Sequence, residues 1–223
     1  MKLLELIFTI YCISLLSLLA WLPFNQITKN DTRSYLTTLY ALKRARMLAL
    51  ADTSYLGHIG FEDVYSFRSV DRKRLLLRYE PFYWQLQFHT SGIYTKNSLS
   101  LYRDTPRFAT TTDFDRRPLA GDIVALSTAN LQCLSGYNNT NLPARCKNNA
   151  LFDFRLSESN KLQNLRLLTP STCQERDTFR FYFSDYSRVL CGNPIHEING
   201  IQGIQVAQFH IFLNAQTGYI FLP

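Results

Sequence analysis

The chain opens with Met1-Lys2-Leu3-Leu4-Glu5-Leu6-Ile7-Phe8 and continues as an apolar run to Pro23 and Phe24. Between Leu6 and Phe24 there is no charged residue. As a helix these roughly 19 residues would be about 28 Å long, close to the hydrocarbon thickness of a bilayer. Glu5 is unusual, because a carboxylate at the edge of an apolar run is costly unless it has a partner. The run predicts a transmembrane or filament-core helix over residues 1–24.

Residues 25–52 are expected to extend this helix beyond Pro23, which removes a backbone hydrogen bond and predicts a kink. Large apolar residues then recur at intervals of three and four, which is typical of an amphipathic helix. They are Tyr35, Leu36, Leu39, Leu42, Met47 and Leu50, and the polar side carries Arg33, Lys43, Arg44 and Arg46. The pattern predicts one long, kinked helix whose second half packs on a head domain.

Residues 53–223 form the predicted head and are rich in strand-forming residues. The stretch Trp84-Gln85-Leu86-Gln87-Phe88 has strand composition, and aromatic residues alternate at Phe179, Phe181 and Phe183. Phe152, Phe154 and Leu156 alternate in the same way. A strand from Ile204 to Leu213, a turn over residues 214–218 and a strand from Tyr219 to Leu222 predict a C-terminal hairpin. The expected fold class is α+β, with a long N-terminal helix packed on a mostly antiparallel sheet.

The cysteines predict disulfide bonds in the head. Of five cysteines, Cys12 lies in the apolar run, and the other four are Cys133, Cys146, Cys173 and Cys191. These four form no CxxC pair and have no histidine at metal-ligand spacing, so disulfides are favoured over a zinc site. Three pairings are possible, and Cys133–Cys146 with Cys173–Cys191 is favoured because shorter loops cost the least entropy to close. The alternative is four buried free thiols in a cytosolic protein.

The net charge of +7 favours contact with anionic surfaces such as DNA, acidic headgroups or anionic polysaccharide. Two basic clusters are candidate DNA contacts: Lys43, Arg44 and Arg46 on the helix, and Arg72, Lys73 and Arg74 in the head. The alternative is that these side chains are ordinary surface charge.

The layout resembles the type IV pilin and type II secretion pseudopilin superfamily. Leu3-Leu4-Glu5-Leu6 stands where that family has a Leu-Ile-Glu-Leu core, and Pro23 stands close to its helix proline. Residues 39–50, LYALKRARMLAL, are similar to the minor members of GspH/FimT type, which carry an Ala-Arg pair and a further Ala here. No basic leader ending in Gly precedes Met1, so Met1 is either the translational start or a processed first residue.

The resemblance implies a minor pilin or pseudopilin. Such a structural subunit assembles through its N-terminal helix into, or at the tip of, a type IV pilus-like filament or a type II secretion pseudopilus, for secretion, pilus biogenesis or DNA uptake. The implied partners are other pilin or pseudopilin subunits, an inner membrane assembly platform and prepilin peptidase, with DNA as a further candidate. The implied location is the inner membrane, single-pass, with the head in the periplasm. Glu5 would neutralise the charge on a neighbour's N-methylated Met1 and so set the subunit register.

No motif in the sequence points to an enzyme. There is no HExxH, GxSxG, P-loop or GxGxxG, and the acidic group Asp113, Asp115 and Asp122 lacks EF-hand spacing. We therefore expect no catalytic residue, metal or cofactor. The alternative function is a bitopic envelope protein with a β-rich ligand-binding head, unrelated to filaments. A secreted hydrolase with an unrecognised site is a third possibility.

Overall fold

A 50-residue helix, α1 (Lys2–Ala51), forms the N-terminal part of the chain. The computed structural model describes residues 2–51, 83–91, 96–104, 117–119, 122–137, 142–168, 172–184, 188–192 and 195–223. Within α1 the side chains of residues 7–17 and 29–51 are described. At 1.5 Å per residue the helix is about 75 Å long.

The membrane assignment of the apolar run requires correction. Across the part of the chain that the structure describes, no helix combines the length and the apolarity needed to cross a bilayer. This finding contradicts the predicted transmembrane helix over residues 1–24. It also contradicts the fold class that included that helix and the single-pass inner-membrane location.

Among the described residues, ten strands form two sheets in which every pairing is antiparallel. The six-stranded sheet has the order β3-β2-β1-β5-β6-β7, and the four-stranded sheet has the order β10-β9-β8-β4. The strands are β1 (Trp84–His89), β2 (Ser98–Arg103), β3 (Ile123–Val124), β4 (Leu165–Leu167), β5 (Thr178–Phe183), β6 (Val189–Cys191), β7 (His196–Glu197), β8 (Ile201–Val206), β9 (Phe209–Asn214) and β10 (Ile220–Phe221). Two 3-10 turns (Ala144–Cys146 and Phe152–Phe154) and a short helix, α2 (Leu156–Ser159), connect them.

One hydrophobic core joins α1 to both sheets. Alternation along β1 and β5 turns one face of the six-stranded sheet towards the core, where Phe88 stacks on Phe179 with ring centroids 4.4 Å apart. The second sheet contributes alternate residues of its central strands to the same core, and α1 contributes mainly small residues. The contributing residues include Ala41, Leu42, Ala45 and Ala49 of α1 and Ile204, Val206, Ile211 and Leu213 of β8 and β9.

The C-terminal strands differ from the prediction. The stretch from Ile204 to Leu213, expected as one strand, turns at residues 207–208, so that β8 and β9 form the hairpin. Ala207 occupies the left-handed region with φ +54°, which a sequence without Gly or Asn at this point does not signal. The expected turn over residues 214–218 is present and leads to the short strand β10.

The alternating residues Phe152, Phe154 and Leu156 do not form a strand. Phe152–Phe154 is a 3-10 turn, and Leu156 begins α2. Phe154 and Leu156 are buried, whereas Phe152 is exposed, because the tight turn directs only some of these side chains inward. The alternation at Phe179, Phe181 and Phe183 does correspond to a strand, β5.

Candidate assembly surface on the N-terminal helix

The side of α1 that contacts the head is built largely from small residues. These are Ser34, Thr38, Ala41, Ala45 and Ala49, all buried, and Leu42 is the one large residue that is fully buried with them. Small side chains at intervals of three and four allow a helix to lie close to the sheets beneath it. Tyr35 packs at the margin of this contact, with its ring centroid 5.0 Å from that of Phe209.

The opposite side of α1 carries large apolar residues that are partly exposed to solvent. Leu36, Tyr40, Met47 and Leu50 are 38–60% exposed. They fall on one line with a single basic residue, Lys43, at alternating intervals of four and three. We call Leu36, Tyr40, Lys43, Met47 and Leu50 the outward stripe. Residues at this spacing form the contact seam when two helices pack along their length.

Residues 7–17 of α1 are exposed around the whole circumference of the helix. In residues 7–17, here called the N-terminal arm, only Cys12 is half-buried, and the large apolar side chains are 47–66% exposed. They are Ile7, Phe8, Ile10, Tyr11, Ile13, Leu15 and Leu16. The hydroxyls of Ser14 and Ser17 bond to backbone carbonyls of Ile10 and Ser14 and so leave the surface apolar. A continuous apolar surface of this kind is rare on a monomer and marks a contact site.

The predicted apolar face of the amphipathic helix is therefore split between two sides. Leu42 is buried on the head side, whereas Leu36, Met47 and Leu50 point away from the head. The prediction assigned large residues to the inward side. In the structure that side is lined mainly by alanine, serine and threonine. Leu42 is fully buried among them, and Leu39 and Leu48 pack against the core as partly buried residues.

An ion pair connects the middle of α1 to the head. Arg33 donates to Asp153 with an N–O distance of 2.7 Å. Both side chains are partly exposed, so the pair contributes little, on the order of 0.2–1 kcal/mol. Burial raises the pKa of the nearby Asp31. The position of α1 therefore depends mainly on its packing against the core.

Several predicted site residues lie outside the described part of the molecule. These are Met1, the side chains of Glu5 and Pro23, and Arg72, Lys73 and Arg74. The helix α1 is continuous through residue 23. The kink expected at Pro23 stays a prediction. Of the basic cluster on α1, Lys43 is exposed on the outward stripe, whereas Arg44 and Arg46 are half-buried beside it. The structure does not gather these cations into one described groove.

The two favoured disulfides are both present. Cys133 is bonded to Cys146 and Cys173 to Cys191, with Cα–Cα distances of 5.5 and 5.1 Å. The first ties the turn Ala144–Cys146 to Cys133, which forms isolated β-bridges with Leu126 and Ala150. The second ties β6 to the segment before β5. No histidine stands at metal-ligand spacing from the cysteines in the sequence, yet the fold brings His196 beside Cys191.

A buried polar network on the second face of the six-stranded sheet was not anticipated. Gln85, Gln87 and His89 alternate with the core residues of β1 and are buried on the other side. The Tyr102 hydroxyl donates to Gln87 Oε1 at 2.9 Å, and Arg180 pairs with Glu175 at 2.7 Å. The alternation of Gln85, Gln87 and His89 with apolar residues along β1 is the sequence pattern that indicates a polar second face.

The imidazole of His89 is held neutral within this network. It stacks on Tyr137 with ring centroids 5.5 Å apart. Burial, and then the charges of Arg180 and Arg117, lower the pKa of His89 to about 3. This face of the sheet is therefore stabilised by hydrogen bonds and an ion pair, and its histidine is not charged at neutral pH.

No family model matches the chain, and neither the curated proteins nor the solved structures contain a match. The surface of the protein itself, above all that of α1, is therefore the guide to what it does.

Proposed function

We propose that this protein is a structural subunit that assembles with copies or relatives of itself through α1, in the manner of the minor pilins and pseudopilins that its sequence resembles. The observation that carries the proposal is the exposure of the outward stripe and the N-terminal arm. Burying exposed apolar area stabilises a complex by about 25 cal/mol per Å². A helix with large apolar side chains exposed on the side away from its described head residues gains this energy when a partner covers them.

The best partner for this surface is another long helix of the same kind. The outward stripe spans residues 36–50 at alternating intervals of four and three, and Phe8, Cys12 and Leu15 in the N-terminal arm repeat that spacing. A sustained spacing of this kind favours helices that wrap around each other with a left-handed supercoil. A second copy of the chain provides a matching helix of equal length, so we take a second copy as the partner.

Glu5 has a specific role in this proposal. A carboxylate among packed apolar helices is stable only beside a positive charge or a hydrogen-bond donor. The amino group of a neighbouring subunit supplies that charge at one axial offset, which makes Glu5 a determinant of register. The head, cross-linked by two disulfides, is carried on the outside of the assembly. In the family that the sequence resembles, subunits of this design serve secretion, pilus biogenesis or DNA uptake.

Co-capture of two differently tagged, co-expressed full-length copies tests the proposal. The variant Leu36→Lys/Met47→Lys places two charges in the outward stripe, and Thr128→Lys/Ala129→Lys places the same charges on an exposed turn of the head. We expect at least a fivefold loss of co-capture for the stripe variant, wild-type co-capture for the turn variant, and reduced co-capture for Glu5→Gln. Equal capture of the stripe variant and wild type would refute assembly through the stripe. So would a chain that binds lipid vesicles but never captures a second copy.

A further inference from the structure

Two cysteines and a histidine of the head lie together at the β6–β7 edge of the six-stranded sheet. Cys191 of β6 is paired across the ladder with His196 of β7, and Cys173 is bonded to Cys191. Cys191 Sγ is 3.6 Å from His196 Nε2, and the three potential ligand atoms all lie within 4.8 Å of one another. Both cysteines are buried and His196 is half-buried, so the cluster is reached from the imidazole side.

The backbone between the two paired strands is shaped to place the imidazole over the sulfurs. Gly192 adopts φ +83°, and a Cβ at this position would lie 2.4 Å from His196 Cε1. A side chain here would therefore be strained and would also displace the ring. Thr172, the residue before Cys173, hydrogen-bonds through its hydroxyl to His196 Nε2. In the disulfide form, Thr172 therefore holds the ring in place with Nε2 beside the sulfur of Cys191.

We propose that the reduced form of the chain binds one Zn²⁺ ion through Cys173, Cys191 and His196. Thiolate and imidazole are the preferred ligands of Zn²⁺, with bond lengths of about 2.3 and 2.0–2.1 Å. In a tetrahedral site these lengths separate a sulfur from a nitrogen by about 3.6 Å. The observed distance from Cys191 Sγ to His196 Nε2 already has this value. The two sulfurs have to move apart, and the Thr172 hydroxyl has to release Nε2, whose lone pair then binds the ion. The fourth position is left for water.

The disulfide and the metal exclude each other, because both use the same sulfur atoms. A dithiol or phosphine reductant supplies two electrons to the Cys173–Cys191 bond, and the two sulfurs take up two protons as thiols. Zn²⁺ then displaces those two protons and binds the thiolates together with neutral His196. The ion would replace the disulfide as the connection between β6 and the segment before β5. The site is independent of the assembly role proposed for α1.

Cobalt titration of the reduced chain tests the site, with Co²⁺ as a spectroscopic substitute for Zn²⁺. The full-length chain carries Cys12→Ser, Cys133→Ser and Cys146→Ser, so that only the proposed cysteine ligands remain. After phosphine reduction we expect one Co²⁺ per chain, with thiolate charge-transfer absorption and the intense visible bands of a tetrahedral site. One equivalent of Zn²⁺ should abolish these bands, and the oxidised protein should show none.

His196→Ala should weaken Co²⁺ binding at least tenfold, whereas His210→Ala, on the outer face of β9, should bind like the parent. Absence of thiolate bands, or equal affinity of His196→Ala and parent, would overturn the proposal. So would a reduced chain that lacks β-sheet circular dichroism both with and without metal, because the ion is expected to hold this edge together. The same titration on the reduced wild-type sequence checks that the cysteine substitutions are not responsible.

Discussion

Ala45 and Met47 are two residues apart on α1 and lie on opposite sides of it. Ala45 is fully buried against the sheets, whereas Met47 is 60% exposed. Two residues rotate an α-helix by about 200°, so a helix with its head on one side presents such neighbours to different surroundings. Substitutions on the two sides should therefore affect different properties of the protein.

Leu42→Ala should destabilise the head, and Met47→Ala should not. Leu42 is fully buried in the core, so its truncation should lower the free energy of unfolding by about 2–5 kcal/mol. Met47 is exposed, and its truncation in the monomer should change that free energy by no more than about 0.5 kcal/mol. Urea denaturation followed by circular dichroism measures both. Equal losses for the two variants would mean that the outward stripe is already covered within one chain.

His89 should make the protein less stable as the pH falls below about 6.5. Its pKa is about 3 in the folded protein and about 6.5 in the unfolded chain. The folded-state pKa is the lower one, so its contribution to stability is full above pH 6.5 and is lost progressively towards pH 3. Between pH 6.5 and 5 this one group should remove about 1.5 kcal/mol.

The matched variant for this prediction is His89→Gln, which keeps a polar side chain at the position and removes the titrating group. Urea midpoints at several pH values should show a shallower loss of stability for the variant than for wild type between pH 6.5 and 5. The remaining histidines are common to both proteins and cancel. Parallel pH profiles would show that His89 is not buried in the neutral form.

Alkylation should detect one reactive cysteine before reduction and five after it. Cys12 is the free cysteine among the described residues, and the other four are in disulfides. The paired substitution Cys133→Ser/Cys146→Ser should cost about 2–5 kcal/mol, because it frees a closed loop in the unfolded chain. Mass spectrometry of the denatured, unreduced chain counts the adducts. Three or more adducts would be incompatible with the two disulfides.

The parts of the head that followed from sequence are those set by local pattern. Phe179, Phe181 and Phe183 alternate because one face of β5 is in the core, and period-two alternation is visible in a single strand. The favoured disulfide pairing followed from loop length. Each of these features depends on residues close together in the chain.

The features that could not be predicted from the sequence depend on contacts between residues far apart in the chain. The inward side of α1 is lined with small residues such as Ala41 and Ala45, and only the proximity of the sheets shows why small residues are needed there. Likewise, His196 reaches Cys191 through strand pairing across a turn. The turn at Ala207 requires a residue in the left-handed backbone conformation. Alanine rarely adopts that conformation, so the sequence did not indicate a turn here. The prediction that the large apolar side chains of α1 face the head was therefore wrong for Leu36 and Met47.

Site-specific photo-cross-linking on the outward stripe tests assembly through α1 most directly. A benzophenone amino acid in place of Tyr40 reports any chain packed against the stripe, whatever the register. The same group in place of Tyr219 is the control, because that tyrosine is 58% exposed on the head. Irradiation of the full-length protein should give covalent dimers from position 40, with the adduct mapped to α1 of a second copy, and few from position 219. Dimers at equal yield from both positions, or adducts from position 40 that map only to the head, would contradict assembly through this helix.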